Sequence, residues 1–210
     1  QKWRDGAGCS GEYFSSLLAD YEKVVALESN LSNRRIGILV NNAGFGLKGD
    51  FLSIPRSDYR DIVMVNSLAP VLIAQMVLPG MKTRGSGLVV SVASINAVSP
   101  IPGNAIYTAT KFFTWAAALA VAEENRSSGI IFQLLLPGTT DTPFHVRQGV
   151  SPRALTMKPE AVVNASLSKV DALIIIPNWM DRLSYPLVYW MPVRWKMKIA
   201  AYSLKKRLGV

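Results

Sequence analysis

Short apolar runs alternate along this chain with longer segments whose apolar positions follow a helical pattern. Four runs are rich in branched aliphatic side chains, which is typical of strands buried on both faces of a sheet. They lie at residues 36–40, 88–92, 130–136 and 172–176. The helical patterns lie at residues 20–31, 58–77, 107–125 and 159–169. This alternation predicts an α/β fold, a doubly wound parallel sheet with right-handed crossovers and helices on both faces.

Composition narrows the class of protein. Half of the 210 residues are hydrophobic and the mean hydropathy is +0.22, which excludes an intrinsically disordered chain. The single cysteine, Cys9, excludes a disulfide framework and a cysteine-rich zinc site, and no metal site is expected. The most apolar stretch, residues 62–78, contains Asn66, Pro70 and Gln75. These residues favour a buried amphipathic helix over a membrane span.

Candidate chemistry lies where the predicted strands end. In open parallel sheets, ligands bind outside the carboxyl ends of the strands. Three segments directly follow predicted strands in this chain: residues 41–44, Ser94 and residues 137–142. The sequence therefore predicts a ligand site built from these segments.

Tyr107 and Lys111 are four residues apart at the start of a predicted helix, so they share one helical face. A free tyrosine has a pKa near ~10, too high for efficient proton transfer at neutral pH, and a nearby ammonium lowers it. The pair is therefore interpreted as a tuned general acid and base. Ser94 is placed to hydrogen-bond the same substrate oxygen, and Asn66 to hold a water beside Lys111.

These residues resemble the short-chain dehydrogenase/reductase family. The motifs that carry the resemblance occur in the family's order and at similar spacing: NNAG at 41–44, Asn66, Ser94, YTATK at 107–111 and PGTTDT at 137–142. The resemblance covers roughly residues 20–169. It implies a Rossmann-like fold in a single domain, with residues 1–19 as a partial third-strand region. Residues 20–169 form the catalytic core, and residues 170–210 the last strand and a basic aromatic extension.

The resemblance also implies roles for the catalytic residues. Tyr107 would be the acid in carbonyl reduction and the base in alcohol oxidation. Lys111 would lower the tyrosine pKa and hold the nicotinamide ribose. Ser94 would polarise the substrate carbonyl, and Asn66 would complete a water-mediated proton relay.

The implied cofactor is NAD(P), with NADP(H) slightly favoured. Tyr107 and Lys111 would contact it together with residues from the three strand-end segments: Asn41, Ala43, Gly44, Pro137, Gly138 and Thr142. Asp20 has two interpretations, a contact to the adenine or a helix cap, and the cap is the stronger one. The expected substrate is a hydrophobic carbonyl compound or secondary alcohol of the 3-oxoacyl, steroid or lipid type. The apolar and aromatic loop and tail after Thr142 motivate the lipid-like substrate. The segments NNAGFG, VLPGM and IIIPNWMDRL are in addition similar to bacterial reductases related to 3-oxoacyl and hydroxysteroid reductases.

The first part of the chain departs from the family. A βαβ unit needs about 30 residues or more, and residues 1–40 already hold one predicted helix. The first βαβ unit with its glycine-rich loop is therefore expected to be missing. Gly6, Gly8 and Gly11 spell G-x-G-x-x-G, but a polar segment precedes them, so the match is interpreted as chance. We expect a bare sheet edge at residues 36–40 and poor cofactor binding by this chain alone.

Positive charge is concentrated near the end of the chain. Residues 151–210 carry ten basic and three acidic side chains, against thirteen and eleven in residues 1–150. Aromatic and basic residues that interleave there are typical of a segment lying on a bilayer; a solvated basic face is the competing interpretation. No nucleic-acid motif accompanies the charge. His145 is interpreted as a solvated loop residue.

The expected protein is a cytoplasmic oxidoreductase with peripheral membrane association, and a homo-oligomer by family analogy. The alternative is a truncated or non-catalytic family member that binds a partner or a membrane surface.

Overall fold

The computed structural model describes residues 18–31, 34–142, 144 and 156–208, and side chains as far as residue 202. Its sheet has four strands: β1 (Ile38–Asn41), β2 (Gly87–Val92), β3 (Ile130–Leu135) and β4 (Ile174–Ile175). All neighbours pair in parallel, in the order β1-β2-β3-β4. The parallel sheet predicted from the apolar runs is confirmed.

Eight α-helices accompany these strands within the described residues. They are α1 (Tyr21–Ala26), α2 (Glu28–Leu31), α3 (Arg56–Val63), α4 (Ala69–Arg84), α5 (Ala105–Glu124), α6 (Pro159–Leu167), α7 (Trp179–Trp190) and α8 (Val193–Leu208). A π-helical turn, Met64–Leu68, joins α3 to α4, and a 3-10 helix, Ile95–Val98, follows β2. The sequence did not predict α7, because Pro186 stands inside it. Proline removes one backbone hydrogen bond but does not prevent a helix that packs well.

Alternating strand residues direct side chains to two faces, and each face carries helices, with Ile38 and Val40 of β1 left exposed on the second face. Leu134 packs in a cluster with Trp115 and Leu119 of α5. Leu135, its neighbour, packs with Val162 of α6 on the opposite face. The helices on both faces confirm the doubly wound architecture.

The crossovers do not all have the same hand. The chain steps in one direction across the sheet from β1 to β4. The helices α4 and α5 lie on one face, whereas α6 lies on the other. The last crossover therefore has the hand opposite to the first two, and the expectation of uniformly right-handed crossovers is wrong at this step.

Strand β1 is the outer strand of the described sheet. No described strand pairs with its free edge, and the side chains of Ile38 and Val40 are exposed. This agrees with the expected bare edge. The G-x-G-x-x-G segment, Cys9, most of the predicted partial strand region and His145 lie outside the described residues, so those predictions stay untested.

Two helical stretches, Arg56–Arg84 and Ala105–Glu124, are long and apolar enough to cross a membrane by length and composition alone. In the structure both contribute to the interior of the fold. Val77 and Met81 of the first pack in a cluster with Val89 of β2. Lys111 of the second is buried. These contacts agree with the buried amphipathic helix expected for residues 62–78.

Candidate active site

Ser94, Tyr107 and Lys111 come together at the carboxyl end of the sheet. Ser94 follows β2 and caps the 3-10 helix, because its Oγ accepts a hydrogen bond of 3.2 Å from the backbone N–H of Asn96. Tyr107 and Lys111 lie on consecutive turns of α5. Ser94 lies close enough to Tyr107 for its hydroxyl to favour the ionised form of the tyrosine. The Nζ of Lys111 lies 6.0 Å from the centre of the Tyr107 ring.

Burial controls the ionisation of this group. Burial raises the pKa of Tyr107 to about 12, while the hydrogen bond with Ser94 acts in the opposite direction. Burial also lowers the pKa of Lys111 to about 8. Lys111 is not among the causes of the Tyr107 shift, so its expected lowering of the tyrosine pKa stays a prediction. The lysine Nζ donates to the backbone carbonyl of Val92 at 2.9 Å, and desolvation dominates at both side chains.

Asn66 lies in the π-helical turn and is committed to protein contacts. Its Oδ1 accepts from the backbone N–H of Phe45 at 3.0 Å. Its Nδ2 donates to the Phe45 carbonyl at 2.8 Å and to Thr110 Oγ1 at 3.1 Å. The Asn66 side chain therefore holds the loop after β1 against α5.

Pro70 explains a further hydrogen bond of the π-helical turn, the one between Thr114 and the Asn66 carbonyl. Pro70 has no N–H to donate to the Asn66 carbonyl four residues earlier. Thr114 Oγ1 of α5 donates to that carbonyl instead, at 3.2 Å. The Asn66 side chain and carbonyl are thus both occupied by protein groups, and the proposed water relay has no support from these contacts.

Gly44 is enclosed by the same residues. A Cβ built on it would lie 3.0 Å from Asn66 Oδ1 and 3.5 Å from Lys111 Nζ. The family resemblance attributes this glycine to close approach of the cofactor. The structure shows that the absence of a side chain also lets Asn66 and Lys111 approach the loop.

We expect Gly44→Ala to destabilise the protein by about 1–3 kcal/mol, because Asn66 is held by three hydrogen bonds and has little freedom to move. Turnover should fall as well, since Lys111 borders the same methyl group. Thermal unfolding and steady-state kinetics measure both effects. Gly37→Ala is the matched control, because a Cβ at Gly37 meets nothing within 4 Å. Equal behaviour of the two variants would contradict the prediction.

A cavity of about 2260 Å³ opens over this group of residues. The predicted site residues that line it are Gly44, Ser94, Tyr107, Lys111, Pro137, Gly138 and Thr142. The structure thus brings most of the predicted site together. Two of its segments are tied directly, since the backbone N–H of Ile95 donates to the Pro137 carbonyl at 3.0 Å.

Three predicted cofactor contacts do not line the cavity: Asp20, Asn41 and Ala43. Asp20 is the N-cap of α1 and accepts from the Lys23 N–H at 3.3 Å. Hydrogen bonds from Lys23 lower the pKa of Asp20. The helix-cap interpretation of Asp20 is therefore confirmed. Asn41 Nδ2 instead donates to the Pro70 carbonyl at 3.5 Å.

Gly138 is closely approached by a residue that the motifs did not indicate. A Cβ at Gly138 would overlap the carboxylate of Asp181, from the first turn of α7. Phe144 covers the other side of the site, with its ring 5.5 Å from the Tyr107 ring. The cavity is therefore bounded partly by residues that follow the matched motifs.

Two more polar residues of the cavity were missed. Asn104 precedes α5, and its buried Oδ1 finds no hydrogen-bond partner among the described residues. Lys196 of α8 is buried, and its Nζ donates to the carbonyls of Val98 at 3.0 Å and Tyr189 at 3.1 Å. Asn104 could have been found from the sequence, because it is a polar residue one turn before Tyr107. Nothing in the local sequence distinguishes Lys196 from the basic residues around it.

The fold and this site define a Rossmann-like α/β protein with a buried Ser–Tyr–Lys group. The family model described as short chain dehydrogenase matches residues 13–150. The chain therefore belongs to the short chain dehydrogenase family.

Individual relatives agree with this assignment. The very-long-chain 3-oxoacyl-CoA reductase of Pyrenophora tritici-repentis is 30% identical over 182 residues, covering 82% of this chain and 51% of that protein. A short-chain dehydrogenase from Sphingobium yanoikuyae, solved in complex with NADPH, is 28% identical with a TM-score of 0.73, covering 83% of this chain and 74% of that one. The bulky-bulky ketone specific alcohol dehydrogenase from Comamonas testosteroni is 28% identical with a TM-score of 0.68, covering 83% and 72%. The chain spans about half the length of the curated relatives it matches.

Proposed function

We propose that this chain is the catalytic part of an NAD(P)-dependent oxidoreductase that reduces a hydrophobic carbonyl compound. The observation that carries the proposal is a buried Tyr107 in a large cavity, with the Ser94 hydroxyl near it and Lys111 one turn away. A phenol whose pKa is about 12 keeps its proton at neutral pH and gives it up only to a stronger base, such as the alkoxide that hydride addition to a carbonyl produces. This state suits reduction better than oxidation, which needs a base.

The residues around Tyr107 fit the nicotinamide end of the cofactor. Gly44, Tyr107, Lys111 and Pro137 line one cavity, and the relative from Sphingobium yanoikuyae, solved with NADPH, supports NADP(H). When bound, the cofactor supplies a hydride to the carbonyl carbon. The described residues include no glycine-rich turn between a strand and a helix for the pyrophosphate. We therefore keep the expectation that this chain alone binds cofactor poorly.

Proton transfer is the task of the protein side chains. Ser94 Oγ already accepts from the Asn96 N–H, so its own proton is available for a substrate oxygen. Tyr107 lies beside the same hydroxyl and donates its own proton to the substrate oxygen as negative charge develops there. Lys111, still protonated below its pKa of about 8, stabilises the phenolate that remains.

Apolar residues support a lipid-like substrate. Ile95, Ile101, Phe144 and Val188 line the cavity beside the Ser94–Tyr107 pair. The names of two relatives, a very-long-chain 3-oxoacyl-CoA reductase and an alcohol dehydrogenase specific for bulky ketones, point the same way. We propose a 3-oxoacyl thioester with a long acyl chain. The buried Asn104 Oδ1 then accepts a hydrogen bond from an N–H or O–H group of the substrate.

We also propose a cytoplasmic protein that works at a membrane surface and forms a homo-oligomer. Exposed apolar side chains on α4 and α5, among them Val71, Phe112 and Phe113, support the oligomer. A non-catalytic role is the second candidate, favoured by the bare edge of β1. Cofactor titration separates the two functions.

The test uses the protein expressed from its complete reading frame. We expect it to oxidise NADPH in the presence of long-chain 3-oxoacyl-CoA, followed by NADPH absorbance. The profile of kcat/KM should be flat at neutral pH and fall as pH rises through about 8, because Lys111 then loses its charge. Tyr107 stays protonated over this range. A protein that binds no cofactor, or a rate that rises steadily above this pH, would contradict the proposal.

A further inference from the structure

The helices α7 and α8 are joined by residues 191–192, and residues of both line the cavity. We refer to this pair of helices as the C-terminal hairpin. Its cavity-lining residues are Asp181, Ser184, Tyr185, Val188, Lys196, Ile199 and Ala200. Two contacts fix this inner face. Tyr185 accepts a hydrogen bond of 2.9 Å from Trp115 of α5, and Lys196 donates to the carbonyls of Val98 and Tyr189. The hairpin is therefore one wall of the proposed substrate cavity.

The outer face of α7 carries a continuous apolar stripe. Its members are Trp179, Leu183, Leu187 and Trp190, exposed by 66%, 68%, 72% and 82%. Their spacing of four, four and three residues places them on one side of a helix. In α8, Val193, Trp195 and Tyr202 are also exposed. Such a surface is unfavourable in water, and a contiguous apolar patch marks an interaction site.

The charged residues that follow the stripe along the chain are all positive. Arg194 and Lys198 of α8 are exposed, and the sequence continues with Lys205, Lys206 and Arg207. Asp181 is the only acidic residue from 179 to 210, and its carboxylate lies against Gly138. Two copies of the hairpin placed face to face would bring like charges together. The occupant must therefore be apolar and anionic.

We propose that the C-terminal hairpin lies on an anionic lipid bilayer, with the stripe in the interface and the basic residues at the lipid headgroups. Tryptophan and leucine with flanking Lys and Arg are the composition of interfacial helices. Because the opposite face of the same helix lines the cavity, a lipid-like substrate enters from the bilayer side. This last step rests on the proposed reductase activity, whereas the bilayer contact deepens the proposed membrane location and does not depend on that activity.

The experiment measures vesicle binding of the protein expressed from its complete reading frame, without substrate or cofactor. Vesicles of phosphatidylcholine alone are compared with vesicles that also contain phosphatidylserine, by co-sedimentation. We expect binding to the anionic vesicles that weakens as salt is added. Leu187→Ala with Trp190→Ala should weaken it at least about tenfold. Arg194→Gln and Lys198→Gln should each weaken it about fivefold.

The matched control is Leu52→Ala. Leu52 is an exposed leucine of the loop before α3, at 88%, and it lies outside the hairpin. Its removal should leave vesicle binding unchanged. Thermal unfolding confirms that each variant is folded.

Three results would overturn the proposal. They are no vesicle binding by the folded protein, binding that the hairpin substitutions do not change, and equal binding to neutral and anionic vesicles. Self-association or capture of an acidic protein that depends on the stripe, without vesicle binding, would assign the surface to another partner. Vesicle binding by a protein without reductase activity would support the bilayer contact and contradict only the proposed function.

Discussion

Replacing Tyr107 with phenylalanine is expected to lower kcat of carbonyl reduction by between about a hundredfold and ten-thousandfold, the usual contribution of a general acid. The ring keeps its buried position beside Phe144, and only the hydroxyl is removed. Losing the hydroxyl and its interaction with Ser94 costs about 1 kcal/mol of stability, too little to unfold the protein. Steady-state kinetics with a saturating 3-oxoacyl thioester measure the effect.

A second tyrosine of the cavity provides the control. Tyr185 also lines it and also holds a hydrogen bond, from Trp115 Nε1. Tyr185→Phe therefore removes the same atom at a similar structural cost and leaves proton transfer intact. We expect its kcat to stay within about tenfold of the unsubstituted protein. Comparable losses in both variants would show that the Tyr107 effect is structural, and full activity of Tyr107→Phe would refute its role as the acid.

The composition of the Ser94–Tyr107–Lys111 site was predictable because each residue is fixed by local structure. Ser94 follows a buried strand, Tyr107 and Lys111 lie one turn apart, and the ends of parallel strands meet at one edge of the sheet. Resemblance to a family then supplied their roles. The position of each of these three residues follows from a short segment of the sequence.

The features that were missed depend on contacts between distant segments. Asn66 bonds to Phe45 across 21 residues, and Lys196 bonds to Val98 across 98. The burial that raises the pKa of Tyr107 was also missed, because burial is a property of the whole fold. Likewise, the packing of α7 offsets Pro186, which locally disfavours a helix. Local pattern therefore located the chemistry, and tertiary structure set its electrostatics.

Of the residues in this site, Lys111 is expected to lower the stability of the folded protein the most while still being needed for turnover. The decrease of its pKa from 10.5 to about 8 corresponds to roughly 3 kcal/mol against holding the charge in the folded protein at neutral pH. Lys111→Met keeps an unbranched side chain of similar length and removes that charge. It also leaves the Val92 carbonyl without its hydrogen-bond donor, and this loss offsets about 1–3 kcal/mol of the stability gained by removing the charge. At neutral pH the variant should thus be about as stable as the unsubstituted protein or more stable, while turnover falls sharply.

The lowered pKa of Lys111 fixes the direction in which the free energy of unfolding changes with pH. Between pH about 8 and 10 the unfolded chain binds the Lys111 proton and the folded protein does not, so the stability of the unsubstituted protein rises with pH. Lys111→Met lacks this increase, and the difference between the two proteins should shift by about 1.4 kcal/mol per pH unit over this window. Above pH 10 the raised pKa of Tyr107 acts in the opposite direction in both. Urea unfolding at a series of pH values measures the difference, with Lys82→Met, at an exposed lysine of α4, as the control. Parallel pH curves for the unsubstituted protein and Lys111→Met would show that Lys111 is not held as a desolvated charge, and its proposed role beside Tyr107 would lose its physical basis.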